Sequence, residues 1–474
     1  MAERGGKLTT FDLTNLVIGS IIGADIYIAT AIGARLIGPA SLLLWITAGA
    51  MALVIALSFS YCVTLLPKVG GPYAYAGAAA GPFAGFMTGW ALLLAEWFSL
   101  SVFPVAFAQY FVALVPGVGP MGEVGLKALF IGIVVATNVI GIKAAGRTND
   151  VLTIVKLSPL VLIVLGGLAY IVLQPAAAAS NFVPFLTGGA AEAGQALVLI
   201  FWAFAGFELS TLPADMAERP ERSVPRAIGM GMLIVTAFYL LTNLVVMASL
   251  DRADLMTSAS PLMDAAAVMF SSLGAAAPAV VLFVGVGALI SILGADESGT
   301  LGTSRLAYAM ALDGHLPHRM ARLHPRFGTP YISIIALGTT AFIASVLGGI
   351  PALINSAVLL LGLVYLVTSL SAIALLRRDP EGSAALRGRR VVPWAGAALS
   401  ALLIALVRPD VWLVGLALMG VGVLVFSLFS PRKELTDMRR LFLSEEDRRR
   451  WARHQSERFL AFPLRRIGTY LRRR

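Results

Sequence analysis

The residues of this chain whose chemistry needs explaining are ionisable side chains set inside long apolar runs. Asp25 lies in L-V-I-G-S-I-I-G-A-D-I-Y-I, Leu16 to Ile28, within an apolar run from Phe11 to Ile37. Roughly 20 residues suffice to cross a bilayer, so the run is long enough to do so. A carboxylate at mid-depth is costly unless it faces a cavity, a partner or a ligand. Gly19, Ser20 and Gly23 beside it lower the cost of leaving helical geometry. The same glycine-x-acid unit recurs 183 positions later, as Gly206-Phe207-Glu208 in F-W-A-F-A-G-F-E, Phe201 to Glu208. Paired interruptions in two halves of a membrane chain point to a central binding site for a transported solute.

Other ionisable residues share this setting: Glu96 in W-A-L-L-L-A-E-W-F-S, Lys156 in V-L-T-I-V-K-L-S-P-L, and the pair Asp296-Glu297. Each has a plainer reading. Asp25 can cap a restarted half-helix, Glu208 can pair with a neighbouring span, and Lys156 can snorkel, being roughly 9 Å inside the end of its span at 1.5 Å per residue. The face on which Glu96 lies is open. His315, His318 and His324 sit close together but lack the further ligands and scaffold of a metal site, so no metal or cofactor is expected. No Walker loop, catalytic triad or haem pair occurs, which argues against an enzyme and leaves ion or solute gradients as the energy source.

The elements that must position these residues follow from composition. Of 474 residues 58% are hydrophobic and 13% charged, and the mean hydropathy is +0.84. That describes an all-α polytopic membrane protein. Apolar runs predict twelve spans, near 11–36, 40–64, 83–113, 126–143, 151–173, 195–217, 227–249, 277–303, 331–348, 352–376, 391–407 and 411–429, with interruptions in the first and sixth. This suits five spans repeated once in inverted orientation, followed by two more. Connections rich in Lys and Arg alternate with connections nearly bare of them, Arg35, Lys127, Arg252 and Arg408 being exceptions. By the positive-inside rule both termini are expected in the cytoplasm and the chain in the cell membrane. Residues 250–273 read as an outer loop with a short helix over the entrance. Residues 1–430 form the expected transporter domain. Residues 431–474 form a basic tail with 14 Lys/Arg against 6 Asp/Glu, suited to lipid headgroups rather than nucleic acid. The one cysteine, Cys62, excludes an internal disulfide.

Four segments in order resemble the amino acid-polyamine-organocation transporters. They are G-S-I-I-G-A-D-I-Y from Gly19, P-K-V-G-G-P-Y-A-Y from Pro67 with G-P-F-A-G-F-M-T-G-W to Trp90, F-W-A-F-A-G-F-E to Glu208 with E-R-P-E-R-S-V-P-R-A-I to Ile228, and S-R-L-A-Y-A-M-A-L-D-G-H-L-P from Ser304. The resemblance covers about the first ten spans. It implies a five-plus-five inverted repeat (LeuT-like) whose broken first and sixth spans cradle an amino acid, transported by alternating access as a proton-coupled symporter or an exchanger. It further implies that Ser20, Gly23, Ala24 and Asp25 face the substrate carboxylate and that Phe201, Trp202, Ala203, Ala205 and Gly206 face its amino group. Trp202 resembles an aromatic gate and Glu208 a second gating residue. Lys156 resembles the lysine that stands in for sodium in proton-coupled members, with Asp296 or Glu297 as its partner in loading a proton.

The chain departs from the family where the usual glycine-serine-glycine becomes Gly23-Ala24-Asp25. A negative side chain there repels a substrate carboxylate if it is ionised and faces the site. Either Asp25 is neutral or turned aside and an amino acid binds, or the substrate is a polyamine, another amine or an inorganic cation with Asp25 as counter-charge. A reading from another class, a transport-dead sensor or partner subunit, also stands at this point. Substrate, coupling ion and oligomeric state are open.

Overall fold

The computed structural model describes residues 9–23, 25–66, 70–141, 146–210, 220–380, 383 and 386–430, without the side chains of 12, 16, 20, 146–156, 209–210 and 220–221. Ala24, the basic tail and part of the Pro67 motif lie outside the described residues. So do the side chains of Ser20 and Lys156.

The described residues contain helices and no strand. In chain order they are α1 (Thr10–Ile21), α2 (Asp25–Ile37), α3 (Ser41–Leu65), α4 (Pro72–Ala80), α5 (Pro82–Leu114), α6 (Pro120–Ile140), α7 (Gly146–Leu173), α8 (Pro175–Ser180) and α9 (Ala190–Phe201). Then follow α10 (Phe207–Ser210), α11 (Pro220–Ser249), α12 (Arg252–Thr257), α13 (Pro261–Met269), α14 (Ala277–Leu312), α15 (Tyr331–Leu347), α16 (Ile350–Arg378), α17 (Val392–Leu406) and α18 (Pro409–Phe429). Most described residues of the expected spans are helical. Among the described residues seven helical stretches are long and apolar enough to cross a membrane: Asp25–Leu65, Pro82–Leu114, Pro120–Ile140, Arg222–Ser249, Ser271–Leu312, Ile350–Arg378 and Pro409–Phe429. Shorter apolar helices cover Leu157–Leu173, Ala190–Phe204, Tyr331–Leu347 and Val392–Leu406.

Burial follows the logic of a bilayer solvent. Large apolar side chains such as Leu413, Leu416, Leu424 and Leu428 of α18 point outward, while Ser58, Thr242, Asn243, Thr303 and Asn355 are buried. Their hydroxyls and amides return to the helix ladder, as where Thr242 Oγ1 donates to the Phe238 carbonyl at 2.9 Å and Asn243 Nδ2 to the Tyr239 carbonyl at 2.8 Å. A polar group in such a core is tolerated only when satisfied in this way.

The expected interruptions are present. The first span breaks between Ile21 and Asp25, so Gly19 and Ser20 belong to α1 and the break falls later than the first glycine. The sixth leaves α-helix after Phe201, makes a 3-10 turn over Trp202–Phe204, extends at Ala205 and restarts at Phe207. The halves pair crosswise: α1 packs on α10 and α11, α2 on α9, α12 and α13. Residues 250–273 carry the short helices α12 and α13, in accord with the expected loop.

On the arginine-rich face, the turn after α14 is pinned to the end of α18. His315 is buried, its Nδ1 lies 2.8 Å from Ser430 Oγ, and its ring stacks on Phe426 with centroids 5.5 Å apart. Burial pushes the His315 imidazole down, with Asp313 opposing that shift. The folded chain therefore binds this proton less readily than the unfolded chain, whose histidines titrate near about 6.5, so the stability it contributes is present above that value and lost as pH falls. In detergent, the melting temperature is expected to fall between about pH 7.5 and about pH 5.5, and to fall less in His315→Phe; equal slopes in both proteins would refute this account.

Candidate functional site

Each interruption frees backbone groups that lipid cannot satisfy. At the end of α1 the Ile21 carbonyl accepts a hydrogen bond from Tyr239 Oη of α11 at 2.9 Å. In the first turn of α2 the Tyr27 carbonyl, which the helix ladder already engages, also accepts from Tyr110 Oη of α5 at 2.9 Å, a bond that ties α2 to α5. In the sixth span the Ala205 N–H donates to the Trp202 carbonyl at 3.0 Å, so that carbonyl is already engaged. Gly206 then takes φ 111°, a left-handed conformation that a side chain strains, before α10 begins.

Two acids stand at the heads of the restarted half-helices. Asp25 is the first residue of α2 and Glu208 the second of α10, and both are buried. Helix starts favour negative charge, and that explains the recurrence of the glycine-x-acid unit: glycine lets the backbone turn, and the acid meets the exposed N–H groups of the next half. Gly23 has a separate reason. A Cβ there would lie 2.7 Å from Ala295 Cβ on α14, so only glycine lets the break approach that helix.

The third acid comes from α5. Glu96 is buried and stands beside Glu208, with Asp25 close enough to act on them electrostatically. Tyr365 of α16 donates to Glu208 Oε2 at 3.2 Å and stacks on Phe207, centroids 5.2 Å apart. Ser99 and Phe103 lie on the same α5 face as Glu96, at the i+3 and i+7 positions. Trp202 Nε1 donates to Ser99 Oγ at 3.0 Å, and its ring tilts against Phe103 at 6.0 Å. Phe201, Ala203 and Ala205 flank Trp202, the first two buried and Ala205 partly so.

The remaining candidates stand elsewhere. Asp296 is buried on α14; it accepts from Thr300 Oγ1 at 3.3 Å, and its Oδ2 has no hydrogen-bond partner among the described residues. Glu297 is only half-buried, and its carbonyl accepts from Asn138 of α6 at 3.3 Å. Neighbouring positions on a helix face about 100° apart, and of these two acids Asp296 is the buried one. The backbone of Lys156 lies in α7, which packs on α14 through Pro159 and Gly287. No group of three or more His, Cys, Asp or Glu suited to a metal occurs among the described residues. Tyr110, Tyr239, Tyr365, Ser99 and Phe103 were not among the sequence candidates. A signal existed for the α5 pair alone, through their helical spacing from Glu96.

Comparison with known proteins decides the class. The amino acid permease family matches residues 8–437. The chain belongs to that family. The permease is 27% identical to the methylthioribose transporter of Bacillus subtilis over 451 residues, 90% of this chain and 94% of the relative. It is 26% identical to the branched-chain amino acid permease BcaP of the same organism over 454 residues, 90% and 93% of the two chains. With the serine/threonine exchanger SteT, also of B. subtilis, identity is 28% over 388 residues, 78% and 83%. This permease is therefore a multi-pass membrane transporter and not an enzyme.

The packing at Gly23 has a measurable consequence. Gly23→Ala is expected to cost about 1–3 kcal/mol through overpacking against Ala295 and to lower transport. The double variant Gly23→Ala, Ala295→Gly should recover most of both losses, because the offending methyl pair is gone. Thermal unfolding and uptake of the four proteins in the cycle check this, and strictly additive effects would show that the two residues do not meet.

Proposed function

We propose that this permease carries small amino acids by alternating access, with the first and sixth spans holding the substrate and a proton travelling with it. Twelve membrane crossings, both termini in the cytoplasm and residence in the cell membrane belong to the same reading; the alternation of Lys/Arg-rich connections supports them. The observation that carries it is the meeting of the buried acids Asp25, Glu96 and Glu208 at the two interruptions. Three buried carboxyls in one place cannot all be charged without compensation. A proton on the Glu96–Glu208 pair answers one charge, and the ammonium of an arriving amino acid answers another. BcaP, SteT and the human cystine/glutamate transporter, by their names, act on amino acids, which supports that substrate class.

The residues then take these roles. Gly23, Ala24 and Asp25, with Ser20 above them, receive one end of the substrate, and Phe201, Trp202, Ala203, Ala205 and Gly206 the other. Trp202, latched to Ser99, closes the site, and Glu208 couples that closure to its proton. Lys156 and Asp296 form a second proton-loading pair across the α7–α14 contact, Asp296 having a carboxyl oxygen to offer. Glu297, only half-buried, contributes least.

A second reading has an observation of its own. Asp25 occupies the head of α2, where the family's carboxylate site is expected, so an amine or cation lacking a carboxylate meets less opposition there.

Uptake into proteoliposomes under an imposed proton gradient separates these readings, with labelled amino acids compared against their decarboxylated amines. Amino acid uptake should rise about tenfold under an inward gradient and lose that dependence in Glu96→Gln and Glu208→Gln, while exchange of preloaded substrate persists. Uptake of amines alone, abolished in Asp25→Asn, would move the permease to the cation reading. Uptake of amino acids that ignores the gradient would remove the proton from the mechanism.

A further inference from the structure

Arg35 stands out in the sequence as a cation among connections nearly bare of Lys and Arg, and the central site does not use it. It lies two turns and more beyond Asp25 on α2, roughly 15 Å along the axis at 1.5 Å per residue. Its Nη2 donates to the Ser258 carbonyl in the connection between α12 and α13. That is its one hydrogen bond among the described residues, and it makes no ion pair with any described acid. The nearby carboxylate of Asp264 is held instead by Ser258, whose Oγ donates to Asp264 Oδ2. Most of the guanidinium's five donors are therefore unspent.

They border a cavity of 320 Å³ between α2, α5, the Thr257–Pro261 connection and the start of α16. This volume falls in the range of small-molecule sites. Tyr27, Ile28, Ala31, Ile32 and Arg35 line it from one face of α2, with Gln109 of α5 opposite. Tyr27 is two residues beyond Asp25, so the floor of the cavity adjoins the first interruption. A solute entering on this side meets Arg35 first and the acids last. Asp25 does not line this cavity, so it is a separate station on the way to the interruptions.

We propose that Arg35 and this cavity form an outer waiting site that holds the carboxylate of an arriving amino acid before it passes to the interruptions. The inference rests on the amino acid reading above. A guanidinium presents a planar fork that pairs with a carboxylate through two parallel hydrogen bonds. The wall of Ala31, Ile32 and Ile28 accepts an apolar side chain. The single bond to the Ser258 carbonyl is the one contact the incoming carboxylate has to displace or share. Arg35 thus selects for a carboxylate at the entrance, whereas the three acids farther in attract the ammonium.

The test is initial-rate uptake by intact cells expressing the full chain, so that labelled amino acids approach from the outer face, with wild type, R35Q, R35K and D264N compared. R35Q is expected to raise KM by about tenfold or more with Vmax within about twofold, since a paired charged contact made on entry is lost. R35K should raise KM less, because an ammonium keeps the charge and loses the fork. D264N should leave KM near the wild-type value. An R35Q protein with unchanged KM overturns the waiting site whatever its Vmax, and so does an equal KM rise in D264N, which would assign the effect to the strap between α2 and Ser258. If R35Q does not reach the membrane, R35K decides alone: a wild-type KM in that variant overturns the proposal. Saturable uptake with Arg35 irrelevant defeats only this site, whereas no amino acid uptake by wild type defeats the substrate reading and the site with it.

Discussion

Everything in this permease turns on one constraint: a helix broken inside a bundle must find partners for its freed backbone groups without help from water. The chain meets it with side chains from helices that are themselves unbroken. Tyr239 takes the last carbonyl of α1, and Asp25 and Glu208 sit at the N–H ends of α2 and α10. The acids, so costly when seen as charges in lipid, are thus also the means by which the interruptions are made tolerable.

These fixings distribute the halves of the first span between different neighbours. The first half is tied to α11 through Tyr239, the second to α5 through Tyr110 and to the α12–α13 connection through Arg35. The crosswise packing of α1 on α10 and of α2 on α9 extends the same division to the sixth span. On the proposed reading, breaks at these two points let the half-helices tilt without tearing a continuous helix. That is the mechanical requirement of alternating access about a central site.

How much of this was legible in the sequence depended on contrast. Asp25 and Glu208 announced themselves as charges in apolar runs, and the repeated glycine-x-acid unit placed both breaks within a few residues. Glu96 was visible as a charge but its direction was not, because α5 is apolar on nearly every side and periodicity in such a helix marks no face. Ser99, Phe103 and Tyr365 were hidden for the opposite reason: a serine, a phenylalanine and a tyrosine in a membrane helix are ordinary, and only the fold brings them against Trp202 and Glu208. Asp296 and Glu297, adjacent in sequence, could not be told apart there; the fold buries the first and leaves the second half-exposed. Tyr239 and Tyr110 belong to helices distant in sequence from the carbonyls they satisfy, a pairing no local pattern encodes.

The position of Asp25 ties proton and substrate together on the proposed reading. The N–H groups at the head of α2 are the natural seat of a substrate carboxylate, and here the side chain of the same turn competes for them. A carboxylate from outside takes that seat at least cost when Asp25 or the acids beside it are neutralised, either by protons or by the ammonium of the substrate itself. Binding of proton and amino acid then favour one another through shared backbone groups, a reciprocal coupling that needs no long-range pathway. An amine without a carboxylate leaves the seat to Asp25 and feels no such linkage. The substitution that seemed to argue against an amino acid substrate is, in this light, a reason for the site to demand a proton before accepting one.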